Sequence, residues 1–287
     1  MKSRYIPEVL SIEQRYKALR IDEDDEQAFL FTCGSCSSAL DVAWGLNEEG
    51  LFRPWDSVFA VEQTAGRGQL RREWVSPKGN IYAALCLPPL LHGVGASVYV
   101  GWLVVKALFE VLGQNLPKPK LAGLKLKWPN DVVLDMHKIG GILLEEKNGV
   151  LVAGIGINFS FAPGADKMRE NYALPAGSLQ NMLEYDDFLK NISAETLWLS
   201  LVSMLRFWYE TKVPFTGGGI PHYLIEPQLA FLREVVRICE FFDKSDDHSK
   251  EEHERTGRIL GLGPNAELRL ETSGGEVLLS SGSICPL

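Results

Sequence analysis

Apolar positions along the chain change period several times, and each change predicts an element. Residues 37–46 place Leu40, Ala43, Trp44 and Leu46 near helical spacing, which predicts a helix. Val58-Phe59-Ala60-Val61 is a short apolar run and predicts a buried strand. Residues 79–87 put Ile81, Ala83, Leu85 and Leu87 on one face of a second strand. Residues 93–112 are apolar and long enough for a core helix, and Pro117 and Pro119 break the chain after it. Leu124-Lys125-Leu126-Lys127-Trp128 alternates like a strand with one wet face. Residues 132–134, 141–145 and 150–157 predict three more strands, joined by turns at Asp135-Met136-His137 and Lys147-Asn148-Gly149. Such close succession implies antiparallel pairing within a mixed sheet. Residues 186–212 carry Phe188, Leu189, Ile192, Leu197, Leu201, Leu205 and Trp208 in the pattern of one amphipathic helix.

The texture changes near residue 230. Residues 235–238, 266–270 and 276–279 read as strands of a small β module, with Gly274-Gly275 as a turn and a charged insertion at 243–255. The expected organisation is a polar lead-in over 1–28, an α+β domain over 29–230 with a mixed, mainly antiparallel sheet and helices, and a small β domain over 231–287. The acidic run Asp22-Glu23-Asp24-Asp25-Glu26 makes the lead-in too acidic, and too short, for a DNA-reading helix-turn-helix.

Composition bounds the function. The 287 residues are 46% hydrophobic and 23% charged, enough apolar material for a substantial core. A net charge of −8 argues against sequence-blind nucleic-acid binding, so any anion site must be a local concentration of positive charge. The N-terminus has no signal-like apolar run and no segment reads as long and uncharged enough to cross a bilayer, so the expected location is cytoplasmic, without a membrane partner. Five irregularly spaced cysteines do not form a disulfide framework.

The local positive charge lies at Gln63-Thr64-Ala65-Gly66-Arg67-Gly68-Gln69-Leu70-Arg71-Arg72-Glu73-Trp74. From residue 63 to 78 there are four basic residues and one acid. Glycines permit close backbone approach, and arginine offers forked donors for phosphate or carboxylate. The plainer reading is a solvated basic loop. The segment matches neither the P-loop nor the dinucleotide fingerprint. Lys127-Trp128-Pro129-Asn130-Asp131 sets a lysine, an amide and a carboxylate at one strand end, where lysine can neutralise phosphate and aspartate can hold Mg²⁺; alone, it is also an ordinary turn. Lys138-Ile139-Gly140-Gly141 and Gly154-Ile155-Gly156-Ile157-Asn158 each put small residues beside a polar group, and close packing explains such glycines equally well.

In this order, these blocks resemble the biotin–protein ligase family. Trp74-Val75-Ser76-Pro77 and Ala176-Gly177-Ser178-Leu179 extend the match, and residues 257–263 with 266–270 and Gly282 resemble that family's SH3-like C-terminal domain. The resemblance implies a class II synthetase-like catalytic fold and ATP-dependent activation of biotin with Mg²⁺. The product would be biotinyl-5′-AMP, and the biotin would pass to a lysine of a biotin carboxyl carrier domain. With no room for the winged helix of the regulatory members, the chain resembles the short, non-repressor type, which implies no DNA partner and leaves room for a homodimer.

By resemblance, Ser38, Gln63, Gly66, Arg67, Lys138, Gly141, Gly154 and Gly156 would meet biotin. Arg67, Gln69, Arg72, Trp74, Lys127, Asn130, Asp131 and Asn158 would meet ATP or the adenylate, with Trp74 over the adenine. Lys138, Arg67 and Asp131 would carry the chemistry, Asp131 also as metal ligand and as the nearest base for the acceptor lysine. Ala39 stands where the family often has threonine, and Gln69 where it has another arginine, so one clamping charge is missing.

Two enzymes of the same fold, lipoate and octanoate protein ligases, are alternatives, as is a non-catalytic protein that binds biotin or its adenylate. Cys33-Gly34-Ser35-Cys36 reads as a redox pair, as half a zinc site, or as two reduced thiols beside a pocket. The third is expected, because no βαβ order and no second ligand pair stand out around it.

Overall fold

The computed structural model describes residues 16–17, 28–88, 94–164, 174–184, 186–212, 221–239 and 255–287. The acidic run at 22–26 and the charged insertion, apart from the backbone of its last residue, lie outside them. An eight-stranded sheet takes the order β1-β2-β3-β4-β8-β7-β6-β5. Its strands are β1 (Tyr16–Lys17), β2 (Phe29–Cys36), β3 (Ser57–Gln63), β4 (Ile81–Leu87), β5 (Lys125–Lys127), β6 (Asp131–Leu134), β7 (His137–Lys147) and β8 (Val150–Ile157). All neighbours pair antiparallel except β2 and β3. The parallel pair is joined through α1 (Ala39–Glu48), so β2, α1 and β3 form the βαβ unit that the sequence reading did not find. Strand β2 escaped notice because Gly34 and Ser35 interrupt its apolar run.

Strand β4 was expected to bury one face and buries both. Ile81, Ala83, Leu85 and Leu87 share a cluster with Val98, Trp102 and Val105 of α2 (Val94–Gly113). Tyr82, Ala84 and Cys86 share a second cluster with Leu40, Ala43 and Trp44 of α1. Each large apolar side chain so buried contributes about 1.5–3 kcal/mol, which fixes the sheet between two helical layers. Contrary to expectation, α2 is long and apolar enough to cross a bilayer, yet most of it is buried inside the fold, as a core helix would be.

Two further expectations change. The wet face assigned to β5 is not wet at Lys127, which is 3% exposed. The helix expected over 186–212 is broken into α4 (Asp187–Asn191), α5 (Ala194–Phe207) and a π turn (Trp208–Lys212), preceded by the short α3 (Leu179–Met182). Ser193 causes the break: its side-chain oxygen accepts from Thr196 N at 3.0 Å and starts a new helix.

The C-terminal sheet is wholly antiparallel, in the order β12-β11-β10-β9-β13. It comprises β9 (Val235–Cys239), β10 (Arg255–Leu262), β11 (Leu268–Thr272), β12 (Gly275–Leu279) and β13 (Ser283–Pro286), consistent with a small barrel-like unit. Sequence pattern missed β10, where Gly257 and Gly261 thin the alternation, and the four-residue β13. Trp128 Nε1 donates to Ala266 O at 3.1 Å and Ala230 N to Leu126 O at 2.8 Å, seating this sheet against the end of β5.

Candidate active site

Beyond β3 the chain makes a small hairpin. Trp74 N donates to Gly66 O and Gly68 N to Arg72 O, both at 2.8 Å, and Arg67 pairs antiparallel with Glu73. The tip is a 3-10 turn, Gln69–Arg71, with Leu70 in the left-handed region. This hairpin lies over a cavity of about 260 Å³. Ser38, Gln63, Arg67, Gln69, Arg72, Trp74, Lys127, Asn130, Asp131, Lys138, Gly141, Gly154, Gly156 and Asn158 all line it. Of the expected set only Gly66 does not. It is buried behind the wall, where a β-carbon would strike the Trp74 carbonyl and Ser76 Oγ, so Gly66 lets the hairpin close.

The floor is built from β5, β6 and β7. Lys127 Nζ lies 3.0 Å from Asp131 Oδ2, and Lys138 Nζ 2.6 Å from Asp131 Oδ1. Burial by itself would raise the Asp131 pKa, but the charges of Lys138 and Lys127 outweigh it and hold the carboxyl at about 2. Two ammonium groups against one carboxylate leave surplus positive charge where water is scarce. Segment 175–177 grips Lys138 on both sides: Lys138 N donates to Pro175 O at 2.8 Å and Gly177 N to Lys138 O at 3.0 Å. Lys127 Nζ also reaches Ser283 Oγ at 3.4 Å, a contact made by the other sheet.

This geometry bears on both roles expected of Asp131. A carboxyl held near pKa 2 is a poor base for an amine. Both its oxygens face lysines, and no cluster of three or more His, Cys, Asp or Glu occurs among the described residues, so the donor set does not form an all-protein metal cage; a Mg²⁺ carried by nucleotide phosphates would need only the one carboxylate. Asn130 Nδ2 donates to Ile142 O at 2.7 Å and Asn158 Nδ2 to Gly177 O at 3.0 Å. These amides brace the backbone of the floor.

The mouth has the opposite balance. Arg67 Nη1 lies 2.8 Å from Asp41 Oδ1, and Nη2 lies 3.4 Å from Glu145 Oε1. Trp44 Nε1 donates to the other Glu145 oxygen at 2.6 Å. The Asp41 carboxyl sits below its usual range: burial opposes this, but hydrogen bonds from Ser37 and Arg67 prevail. Arg67, expected to face a ligand's anion, is thus shared by two carboxylates. Gln63 Oε1 accepts from Ala39 N at 2.8 Å and its Nε2 donates to Ser76 Oγ at 2.9 Å, so Gln63 ties the helix start to the hairpin. Ser38 Oγ caps α1 by accepting from Asp41 N at 3.1 Å. The Trp74 indole packs on Gly156, where a β-carbon would lie 2.8 Å from the ring, and near Gly141. It therefore covers two of the three glycines expected to line the biotin slot, while Gly154 faces Leu40, and Lys138 Nζ stands 5.3 Å from its ring centre.

Residues 46–161 match the model of the biotin/lipoate A/B protein ligase family. That stretch, less than half of the chain, is similar to a domain of that family. A biotin–[acetyl-CoA-carboxylase] ligase of Paracoccus denitrificans is 39% identical over 149 residues, covering 50% of this chain and 58% of that protein. The bifunctional ligase/repressor BirA of Escherichia coli is 35% identical over 121 residues, 40% of this chain and 36% of that one. The chain thus spans well under two thirds of these curated relatives. A solved biotin protein ligase from Aquifex aeolicus, in complex with biotin and ATP, superposes with TM-score 0.64 at 24% identity, over 89% of this chain and 97% of that one. That likeness establishes the fold.

The matched segment holds most of the cavity wall, from Gln63 to Asn158. Ser38 precedes it, and Gly282 and Ser283 reach the cavity from the C-terminal sheet. Sequence reasoning missed Asp41, Glu145, Ser76 and Ser283. Asp41 had a signal, standing three residues after a capping serine. Glu145 and Ser283 had none, because only tertiary folding brings them to Arg67 and Lys127.

Proposed function

We propose that the chain is a biotin–protein ligase. Biotin's carboxylate attacks the α-phosphorus of MgATP, the bond to the β-phosphate breaks, and pyrophosphate leaves. The amine of a lysine on a biotin carboxyl carrier domain then attacks the acyl carbon of biotinyl-5′-AMP and expels AMP. The observation that carries this reading is the Lys127–Asp131–Lys138 cluster, with Lys127 deeply buried, lining a glycine-walled cavity under a basic hairpin. Two anions must be brought together, and preorganised cations in a low-dielectric site do this at no reorganisation cost. Positioning supplies much of the rest, and a hairpin over the cavity shields a labile acyl-adenylate from water. Asp131 keeps the two lysines apart and aimed. The acceptor amine loses its proton to solvent.

The test is biotin-dependent exchange of labelled pyrophosphate into ATP, followed by transfer to a carrier domain. Exchange with biotin and not with lipoate is expected. Exchange driven by lipoate would turn the assignment to the sister activity of the family. Biotin binding without any exchange would reduce the protein to a binding module.

A further inference from the structure

The proposed reaction uses no cysteine, yet the structure brings two together beside the hairpin. Cys33 Sγ lies 3.6 Å from Cys36 Sγ at the end of β2, with Cys33 buried and Cys36 half-buried. Side chains three apart on a flat strand point to opposite faces, so this approach requires the strand to coil at Gly34-Ser35. The pair also stands in a βαβ unit, two residues before the cap of α1.

We infer that Cys33 and Cys36 form a thiol–disulfide couple that controls the base of the hairpin. Cys36 is opposite Gln63 in the parallel ladder, and its carbonyl accepts from Thr64 N at 2.8 Å and from Thr64 Oγ1 at 3.3 Å. Ser37 O accepts from Ala65 N at 2.9 Å. These bonds set where the hairpin bearing Arg67 and Trp74 begins. A disulfide holds its sulfurs about 2.05 Å apart, whereas Cys33 Sγ and Cys36 Sγ stand 3.6 Å apart. Closing the bond therefore shortens the end of β2 and pulls the Cys36 carbonyl off Thr64. Gln63, which holds the start of α1, loses its alignment with it.

The chemistry is ordinary exchange with a small-molecule disulfide. The more accessible Cys36 thiolate attacks one sulfur of the reagent and releases one thiol. Cys33 then attacks the Cys36 sulfur and releases the second. Two protein thiols become one disulfide, the reagent is reduced to two thiols, and the protein's two protons end on them.

The experiment equilibrates the full chain in mixtures of reduced and oxidised glutathione and reads three things. Peptide mass spectrometry should find a Cys33–Cys36 cross-link. Amide hydrogen exchange at Thr64 and Ala65 should speed up about ten-fold or more, as expected when hydrogen bonds of this kind are lost. Biotin affinity should fall by a similar factor, and reductant should reverse all three changes. Cys36→Ser should abolish the response, and Cys33→Ser serves equally if that variant does not fold. Absence of the cross-link at the most oxidising poise, or a cross-link that leaves Thr64 and Ala65 exchange unchanged, overturns the inference. Only the affinity readout rests on the ligase reading: failure of the reduced protein to bind biotin would sink that reading, while cross-link and exchange still decide the couple.

Discussion

At the floor of the cavity two lysines share one aspartate; at its mouth one arginine is shared by an aspartate and a glutamate. Both clusters mix cations and carboxylates at hydrogen-bond distance, but the proportions are reversed, and the floor holds the one deeply buried cation of the two clusters. The Lys127 side chain is 4% exposed, against 30% for Lys138 and 35% for Arg67. Charges interact more strongly where water is scarce, so the surplus cation at the floor is the one able to anchor a polyphosphate. At the mouth the charge of Arg67 is already shared by Asp41 and Glu145, neither of which lines the cavity. Arg67 is thus better described as the pin of a latch, between the hairpin, α1 and β7, than as the first cation a nucleotide meets. An arginine in a glycine-rich loop indicates where positive charge lies along a chain, and its partners in space decide whether that charge is available.

The sharpest way to break this comparison is to remove a floor lysine. Lys138→Ala should cut biotin-dependent pyrophosphate exchange by at least about 100-fold, the scale of losing one preorganised stabilising group. Lys127→Ala should do as much and also leave Asp131 and Ser283 without their shared partner. Exchange at the wild-type rate in Lys138→Ala would mean that the floor does not bind the reacting phosphate.

Asp131→Asn tests the same cluster through stability. It leaves two ammonium groups facing each other without a counter-ion, and urea unfolding should report a loss of about 2–3 kcal/mol, below the range for a fully buried pair because Lys138 is partly exposed. Proton linkage adds a second check. The folded pKa of about 2 lies below the ordinary 3.8, so the ion pairs contribute fully above about pH 4 and less as pH falls toward 2. The stability gap between wild type and Asp131→Asn should narrow across that window. A constant gap would show that the carboxylate's ionisation is not what the lysines stabilise.

Local chemistry was legible in the sequence and spatial sharing was not. The strands from Asp131 to Ile157 were readable because tight turns punctuate them: Asp135, Met136, Asn148 and Gly149 all take positive φ. Lys127, Asp131, Lys138 and Gly156 each sit near a strand end beside a small or polar neighbour, a weak signal alone, and the order of their blocks, in its resemblance to a known family, singled them out. Strand β2 was missed because Gly34 and Ser35 hide its period, and with it went the βαβ unit. Burial of Lys127 was unreadable because alternation reports which face a residue occupies, and the C-terminal sheet that covers this one comes from more than a hundred residues away. The break at Ser193 was readable in principle, a serine capping residue inside an apolar stripe, but the stripe continues in phase on both sides.

The mouth offers a gentler perturbation. Asp41→Asn combined with Glu145→Gln leaves Arg67 as an unneutralised cation. Exposed pairs contribute about 1 kcal/mol or less, so stability should barely move. Nucleotide association, followed by stopped flow, should quicken several-fold at low ionic strength, and the gain should shrink as salt rises, because steering at an exposed site is screened. A gain that survives high salt would point to a loosened hairpin instead of a changed field, and no gain would show that the mouth's charge does not matter to entry.

Gln69→Arg should have the smallest effect, and it separates the two ends of the cavity most finely. Gln69 lines the cavity from the hairpin tip, where its amide can donate but brings no charge. An arginine there adds a cation to the hairpin that already brings Arg67 and Arg72 to the cavity. If the floor supplies most of the hold on the adenylate, dissociation of biotinyl-5′-AMP should slow only about two- to five-fold, the worth of one exposed charge-assisted contact. In the Asp41→Asn, Glu145→Gln background the same substitution should give a larger slowing, since no acid at the mouth competes for the new guanidinium. Equal dissociation rates in both backgrounds would mean that position 69 does not face the adenylate, and that the missing arginine of the family pattern costs this chain nothing.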